Sequence, residues 1–201
     1  MSPEEINRLD WQKQDGLLPS VVQDVTNGRV LMLGYMNREA LAATIETGHV
    51  TFWSRAKQSL WTKGETSGNS LTLVKLETDC DRDSLLVTAK PNGPTCHLGQ
   101  VSCFTEAPSN FLADLDALIR EREFDRPLNS YTAKLFASGT RGIAQKVGEE
   151  GVETALAAVV ENDEALLGEA ADLLYHLTVL LRSRDLSLHQ VVEVLKERHR
   201  G

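Results

Sequence analysis

No stretch of this chain is long and apolar enough to cross a bilayer, and its first residues lack the basic-then-apolar pattern of a secretory signal. Positive charge is also scarce, since 21 Lys and Arg face 29 Asp and Glu, for a net charge of −8. This balance argues against a nucleic-acid-binding surface built on bulk positive charge. We therefore expect a cytoplasmic protein that binds neither a membrane nor nucleic acid.

Cysteine is rare, and the CxxC spacing of most structural zinc sites is missing. The three cysteines are Cys80, Cys96 and Cys103. They cannot all pair within one chain, and a reducing compartment disfavours disulfides. Either they are buried small hydrophobes, or three thiolates with one open position form a catalytic zinc site, whose metal lowers the pKa of bound water toward ~7. The Gly- and Pro-rich loop around Cys96 favours zinc, and His97 beside it is either a base or merely a neighbour.

Strand-like and helical patterns occupy different halves of the chain. The first half has β-rich runs at residues 21–25, 30–33, 49–53, 70–77 and 84–89 and one helix that begins at Asn37 and ends at Gly48, with a hairpin signal at Asn27-Gly28. After a polar linker at residues 105–110, only helical patterns follow. These helices are predicted at about 110–123, 130–137, 142–160, 163–183 and 187–199. The predicted fold class is an N-terminal α+β domain, mostly antiparallel β, at residues 1–104 and a C-terminal all-α helical bundle at residues 111–201.

Two carboxylate pairs mark the helical half. One pair is Glu150 and Glu153, and both acids share a helix face because their spacing is i, i+3. The other pair, Glu169 and Asp172, has the same spacing. A tight turn at residues 161–163 sets the two pairs at the same height on antiparallel helices, so four carboxylates should converge near a bundle core.

Exposed helix faces paired with Lys or Arg are the alternative explanation of these acids. Lys146 lies four residues before Glu150, but Glu169 and Asp172 have no basic neighbour at helical spacing. Unpaired acids repel one another and are costly to desolvate, so we predict that Mg²⁺ or Mn²⁺ lies among them. The helix at 163–183 is apolar on most of its circumference, which a lone helix pair cannot cover, and this suggests dimerisation.

Three aspartates alternate with other residues in the first half. They are Asp79, Asp81 and Asp83. In extended backbone they would share one face, with Cys80 on the other. The spacing resembles an EF-hand loop, but Ser84 and Lys90 stand where Gly and Glu are required, which excludes calcium sensing. A second divalent-ion site and a solvated acidic turn both remain open.

Polar loops and isolated basic residues are candidates for phosphate binding. Backbone N–H groups of a glycine-bearing loop at residues 61–69 can hold phosphate, and nearby cations add charge. Basic residues upstream of the acids suit a polyphosphate in the helical half. The candidate substrate-binding residues are Trp53, Arg55, Lys63, Gly64, Ser67, Gly68, Asn69, Lys134, Arg141 and Lys146. His176, four residues after Asp172, is interpreted as a cap of the polar patch.

Together these motifs resemble two enzyme families. Residues from about 9 to 104 resemble phosphoribosyl-AMP cyclohydrolase, and residues from about 111 to 199 resemble phosphoribosyl-ATP pyrophosphatase, of the all-α nucleoside-triphosphate pyrophosphatase group. The first resemblance is carried by residues 34–37, 53–55, 61–69, 79–83, 96–97 and 102–104. The second is carried by an E-E-x-x-E…E-x-x-D pattern at residues 149–153 and 169–172. Fused in this order, the two resemble bifunctional histidine-biosynthesis enzymes of bacteria.

The resemblance implies a set of metal ligands and catalytic roles. It implies zinc on Cys80, Cys96 and Cys103, shared across a homodimer interface. It implies Mg²⁺ on Asp79, Asp81 and Asp83, and Mg²⁺ on Glu150, Glu153, Glu169 and Asp172. For the two hydrolyses that it implies, on phosphoribosyl-ATP and then phosphoribosyl-AMP, we expect Glu149 or a neighbouring Glu to orient water and His97 to transfer a proton.

Other functions agree with parts of the sequence. The helical motif alone permits a nucleotide-pool pyrophosphatase, which the N-terminal fusion disfavours. Cysteine-bound zinc also occurs in base deaminases, but their H-x-E and P-C-x-x-C motifs are absent. A non-catalytic alternative is a structural zinc clip joined to a dimerisation scaffold, although such a site normally has four protein ligands.

Overall fold

The chain divides into two compact units. The computed structural model describes Met1, residues 3–13 and residues 15–200, and its units are Met1–Asn110 and Phe111–Gly201. Within the described residues, none of the helices has the length and apolar character that crossing a membrane requires.

The N-terminal unit is built on a four-stranded sheet. Its elements are α1 (Pro3–Asn7), β1 (Leu18–Asp24), β2 (Val30–Met36), α2 (Arg38–Thr47), β3 (Thr51–Ser54), β4 (Ser59–Thr62), β5 (Leu71–Thr78) and β6 (Leu85–Pro91). The strand order is β2-β1-β6-β5, with β1 and β6 parallel and the other pairs antiparallel. Strands β3 and β4 form a separate antiparallel pair. The predicted α+β character is confirmed, but β4 and the short α1 were missing from the sequence prediction.

Local sequence signals account for the first turn and the first long helix. Gly28 has a φ of 73°, which favours glycine, and its N–H donates to the Asp24 carbonyl at 3.0 Å. The Asn37 side chain accepts from the Ala40 N–H at 2.8 Å and caps the start of α2. The left-handed Gly48 ends that helix.

One face of the sheet carries the core. Alternate residues of β1 and β6 are buried, among them Leu18, Val22 and Val87. Gly34 of β2 lies directly against the buried ring of Phe52, where a Cβ would overlap the ring. This close approach explains why position 34, the first residue of the stretch at 34–37, is glycine.

The C-terminal unit is helical, as predicted. Its helices are α3 (Phe111–Asp125), α4 (Tyr131–Ala137), α5 (Gly139–Val160), α6 (Asp163–Arg182) and α7 (Leu188–Arg200). Each end lies within three residues of its predicted position. The short turn makes α5 and α6 an antiparallel pair, and the Asn162 side chain caps α6 by accepting from the Ala165 N–H at 2.9 Å.

The helical unit buries little apolar surface by itself. Its core consists of Ile119, Leu135, Ile143 and Val179. Several large apolar side chains of α5 and α6 are more than half exposed. They are Val152, Leu156, Val159, Val160 and Leu167. Within one chain α6 packs against α3, α4 and α5, whereas much of the exposed apolar surface lies on α5.

Candidate active sites in the two units

A cavity of about 460 Å³ lies in the N-terminal unit. It brings together the glycine-bearing loop, two of the three cysteines and the histidine beside one of them. Its wall consists of Met32, Trp61, Lys63, Gly64, Thr66, Ser67, Asn69, Pro94, Thr95, Cys96, His97, Gly99 and Cys103. Residues far apart in sequence thus share one concave surface, which is the usual setting of an active site.

The loop after β4 curls back on itself and places a lysine in this wall. Gly64 has a φ of 88°, and a Cβ there would lie 2.5 Å from the Asn69 carbonyl carbon, so only glycine fits. The Gly68 N–H donates to the Gly64 carbonyl at 2.8 Å. The buried Lys63 donates from Nζ to the Asn69 carbonyl at 3.2 Å. A buried ammonium group whose hydrogen-bond partner is a neutral carbonyl can also bind an anionic group of a ligand.

Cys96 and Cys103 meet at the cavity. Cys96 is buried in a turn in which its N–H donates to the Gln100 carbonyl at 2.9 Å, and the Cys103 N–H donates to the Leu31 carbonyl at 2.8 Å. Burial, followed by the neighbouring Cys96 thiol, raises the pKa of Cys103, whereas the Lys63 charge opposes that rise. Cys80 is exposed, and among the described residues no cluster of three metal-ligand side chains includes a cysteine. One chain therefore groups two of the three predicted zinc ligands.

Three aspartates form a tight group, although their backbone is not extended. Their carboxylate oxygens lie within 4.8 Å of one another, and we call Asp79, Asp81 and Asp83 the aspartate cluster. The expectation of extended backbone is wrong, because residues 80–83 form a bend in which Arg82 has a φ of 65°. The Asp79 carboxylate holds that bend by accepting from the N–H groups of Asp83 at 3.1 Å and Ser84 at 3.2 Å.

A lysine from the N-terminal segment occupies this cluster. The Lys13 Nζ lies 2.6 Å from Asp81 Oδ2 and 2.5 Å from Asp83 Oδ2. The hydrogen bond from Lys13 lowers the pKa of Asp83, and the hydrogen bonds to Asp81 and then to Asp83 raise the pKa of Lys13. The donor set suits Mg²⁺, but a metal ion there competes with an ammonium group already in place.

Three predicted substrate-binding residues of this unit lie outside the cavity wall. They are Trp53, Arg55 and Gly68. The Arg55 guanidinium lies over the Tyr35 ring, 3.9 Å from its centroid, so a cation–π contact holds it at β2. Trp61, Thr66 and Thr95 line the wall but were not predicted as site residues. Trp61 belonged to the glycine-bearing stretch, whereas nothing in the sequence marked Thr95.

In the helical unit, three of the four predicted metal ligands converge. Oxygens of Glu150, Glu169 and Asp172 lie within 4.8 Å of one another, and we call these residues the carboxylate cluster. Burial, then the charges of Glu153, Glu150 and Asp172, raise the pKa of Glu169. Glu153 is exposed and lies outside the cluster, although its charge reaches Glu169.

Burial differs among the three members of the carboxylate cluster. Glu150 is buried, Glu169 is half-buried and Asp172 is exposed. In the described part of the chain, no Lys or Arg forms an ion pair with any of them. Oxygen donors without a basic partner fit Mg²⁺ or Mn²⁺.

A hydrogen-bonded histidine stands behind the carboxylate cluster. His176 Nδ1 lies 2.9 Å from the Asp172 carbonyl oxygen and 3.5 Å from Glu150 Oε1. The Tyr131 hydroxyl lies 3.0 Å from His176 Nε2. His176, interpreted from the sequence as a cap of the polar patch, does contact these acids, but its side chain is buried. Nothing in the sequence pattern indicated Tyr131.

A second cavity, of about 300 Å³, lies beside this histidine network. Its wall consists of Tyr131, Lys134, Leu135, Ser138, Gly142, Gln145, Lys146 and Glu149. Lys146 forms an ion pair with Glu149 at 2.7 Å, and Gln145 donates to the other Glu149 oxygen at 2.9 Å. The Lys146 hydrogen bond is the main cause that lowers the pKa of Glu149. Arg141, predicted to bind substrate, lies outside this wall.

Two units with two chemically different sites define a two-domain hydrolase, and family comparisons identify it further. Residues 32–105 match the model for phosphoribosyl-AMP cyclohydrolase, and residues 112–199 match the model for phosphoribosyl-ATP pyrophosphohydrolase. The chain belongs to the bifunctional histidine-biosynthesis family that joins these two domains.

Curated relatives match over nearly the whole chain. A protein of Xanthomonas campestris named "Histidine biosynthesis bifunctional protein HisIE" is 67% identical over 195 residues, which cover 97% of this chain and 95% of its own. The protein of that name from Yersinia pestis is 57% identical over 201 residues, covering 99% of this chain and 98% of its own. The one from Salmonella typhimurium is 57% identical, with 99% of both chains covered.

Proposed function

We propose that each unit catalyses one of two consecutive hydrolyses. The helical unit, residues 111–201, converts phosphoribosyl-ATP to phosphoribosyl-AMP and pyrophosphate. The N-terminal unit then hydrolyses the N1–C6 bond of the purine of phosphoribosyl-AMP; within it we assign the cyclohydrolase domain to residues 1–104 and the linker to residues 105–110. The observation that carries the proposal is a carboxylate cluster in one unit and a thiol-lined cavity in the other, each within its own family match.

In the helical unit, the carboxylate cluster would hold Mg²⁺. The metal supplies neutralisation of the triphosphate charge when it is bound. Lys134 and Lys146 line the adjacent cavity and meet phosphate oxygens. Glu149 stays ionised because Lys146 and Gln145 hold its oxygens, so it can orient the water that attacks the α-phosphorus. The P–O bond to pyrophosphate then breaks.

In the N-terminal unit, the purine carries a ribose phosphate on N1, which leaves the ring cationic and C6 electrophilic. Zinc on the three cysteines would supply activation of water, and Mg²⁺ on the aspartate cluster would supply charge for phosphate. His97 in the cavity wall transfers the proton from water toward N1, and Lys63 binds an anionic group of the substrate. The oxygen stays on C6, the N1–C6 bond breaks and N1 takes the proton.

We further propose a homodimer in which two subunits share each zinc site. Two observations support it: Cys80 is exposed and apart from the cavity that Cys96 and Cys103 line, and apolar side chains of α5 and α6 are exposed. A zinc ion that needs three thiolates therefore needs a second chain. Large exposed apolar faces are typical of protein–protein interfaces.

Product analysis by mass spectrometry tests the division of labour. With Mg²⁺ and Zn²⁺ present, Glu150→Gln should prevent pyrophosphate release but leave ring opening of supplied phosphoribosyl-AMP. Cys96→Ser should release pyrophosphate and accumulate phosphoribosyl-AMP. If either variant, still folded by circular dichroism, lost both activities, the assignment of one reaction to each unit would be wrong.

A further inference from the structure

We propose that Tyr131 and His176 act as positioning residues that fix the Glu150 carboxylate in its metal-binding orientation. The inference rests on the proposed metal site of the helical unit and concerns residues that contact its ligands rather than the metal itself. We call these three residues the Tyr131–His176–Glu150 chain. It joins three helices, since its members come from α4, α6 and α5 in that order.

The hydrogen-bond partners assign the histidine tautomer. A carbonyl oxygen only accepts, so His176 Nδ1, 2.9 Å from the Asp172 carbonyl oxygen, carries a hydrogen. In the neutral ring Nε2 is then an acceptor, and the Tyr131 hydroxyl donates to it at 3.0 Å. The same protonated nitrogen, Nδ1, lies 3.5 Å from Glu150 Oε1, so beside its hydrogen bond to Asp172 the ring also makes an electrostatic contact with that carboxylate. Tyr131 thereby reinforces the tautomer that the Asp172 carbonyl requires and that suits Glu150.

Burial makes this contact matter more than a surface contact would. The side chains of His176 and Glu150 are only 5% and 9% exposed. A buried carboxylate without a partner is costly, and within the described residues no Lys or Arg pairs with Glu150. Its other close neighbours in the cluster, Glu169 and Asp172, repel it. The 3.5 Å contact with His176 Nδ1 therefore favours one position of the Glu150 carboxylate before a metal binds.

Aromatic rings fix the plane of the imidazole. The Tyr131 and Tyr175 rings both meet His176 edge-on, with centroids 5.9 Å and 5.1 Å away and interplanar angles of 89° and 77°. His176 also bonds the backbone of Asp172, a member of the carboxylate cluster. One ring thus holds ligands from two helices, and Tyr131 extends its reach to the second cavity, whose wall it lines.

The two tyrosines provide a matched pair of variants. Tyr131→Phe removes the hydroxyl that bonds His176. Tyr175→Phe removes a neighbouring hydroxyl that bonds Thr132 Oγ1 at 2.8 Å instead. Both substitutions keep the rings that flank the histidine. A difference between them therefore reports the hydrogen bond to His176 rather than packing.

Binding of Mn²⁺ to the full chain, followed by electron paramagnetic resonance, tests the inference. Glu150→Gln identifies which class of Mn²⁺ sites belongs to the carboxylate cluster. Partners behind a metal ligand typically change affinity by about 10–100-fold, so we expect His176→Leu to weaken that class within this range and Tyr131→Phe by up to about tenfold. Tyr175→Phe should bind as wild type. Excess Mn²⁺ should restore pyrophosphate release to Tyr131→Phe, which a folding defect would not allow.

The outcomes separate the inference from the function on which it rests. Suppose that Glu150→Gln abolishes the Mn²⁺ sites of the carboxylate cluster, but Tyr131→Phe binds Mn²⁺ there with wild-type affinity, as Tyr175→Phe does. The positioning role is then refuted and the metal site stands. If Glu150→Gln leaves every class intact, the proposed metal site fails and the inference fails with it. Equal weakening in both tyrosine variants would show a packing effect and also refute the positioning role.

Discussion

Replacing Gly34 by alanine should loosen the N-terminal unit and leave the helical unit intact. A Cβ at this position overlaps Cδ1 and Cε1 of the Phe52 ring and lies 3.0 Å from its Cγ. Phe52 is only 2% exposed and belongs to the buried core, so its ring cannot move aside into solvent. It also stacks on Trp61, with centroids 5.7 Å apart, and Trp61 lines the thiol cavity. The overlap is therefore passed from the core to the proposed cyclohydrolase site.

The expected magnitude follows from overpacking of a dense core. One extra methyl group in such a position costs about 1–3 kcal/mol. For a unit of this size, 1 kcal/mol corresponds to about 4–8 °C, so the unfolding midpoint should fall by roughly 5–20 °C. The assay is simple, because all three tryptophans, Trp11, Trp53 and Trp61, belong to the N-terminal unit. Tryptophan fluorescence during heating therefore follows this unit alone.

A second substitution tests the cause. Phe52→Leu replaces the ring by a smaller aliphatic side chain, which makes room for the methyl group that Gly34→Ala adds. The double variant should therefore lose at least about 0.5 kcal/mol less stability than the sum of the two single losses. Pyrophosphate release should be unchanged in all three variants at temperatures below the transition. A Gly34→Ala midpoint within about 1 °C of wild type, or strictly additive effects, would refute the overlap as the reason for glycine here.

Three further predictions concern charge and assembly. Lys13→Met should tighten Mg²⁺ binding at the aspartate cluster in low salt, because Mg²⁺ then displaces no ammonium group. Calorimetry measures the affinity, and Lys57→Met, which removes an exposed lysine elsewhere, is the control. An equal gain in affinity in both variants would contradict the prediction. Because the pKa of Glu169 is raised, the free energy of unfolding of the metal-free protein should fall as pH rises above 4.5, the ordinary pKa of this group. Glu169→Gln should lose this part of the pH dependence, measured by chemical denaturation at several pH values. The same pH dependence in wild type and Glu169→Gln would disprove the prediction. When the Cys80→Ser and Cys103→Ser variants are mixed, unfolded and refolded together, about a quarter of the wild-type cyclohydrolase activity should return. Half of the dimers then contain one chain of each variant, and one of the two zinc sites in such a dimer has all three cysteines. No recovery would argue against shared zinc sites.

Most of the secondary structure could be predicted because its causes are local. Asn37 and Asn162 cap α2 and α6 with their own side chains, and Ser187 and Gln190 bond each other at the start of α7. Such contacts span three residues, so the sequence displays both partners together. Strand β4 was missed since it pairs only with β3 and lies in a stretch rich in polar turn residues.

The sites were predicted less completely than the helices. Lys13 reaches Asp81 across 68 positions, and Tyr131 reaches His176 across 45. No spacing rule connects residues that far apart. Arg55 carried the right charge for phosphate, but the position of Tyr35 holds it outside the cavity.

The sequence by itself determined which chemistry this protein carries: acids at i, i+3, thiols without a CxxC pair, and a glycine loop that must turn. These depend on residue type and on the helix period, both of which are visible in one dimension. Tertiary structure decided the membership of each site. It brought Glu150, Glu169 and Asp172 together and left Glu153 outside, because the docking of α5 on α6 sets how far each carboxylate can reach. It also buried His176 behind them, where packing of α4 supplies the tyrosine that orients it.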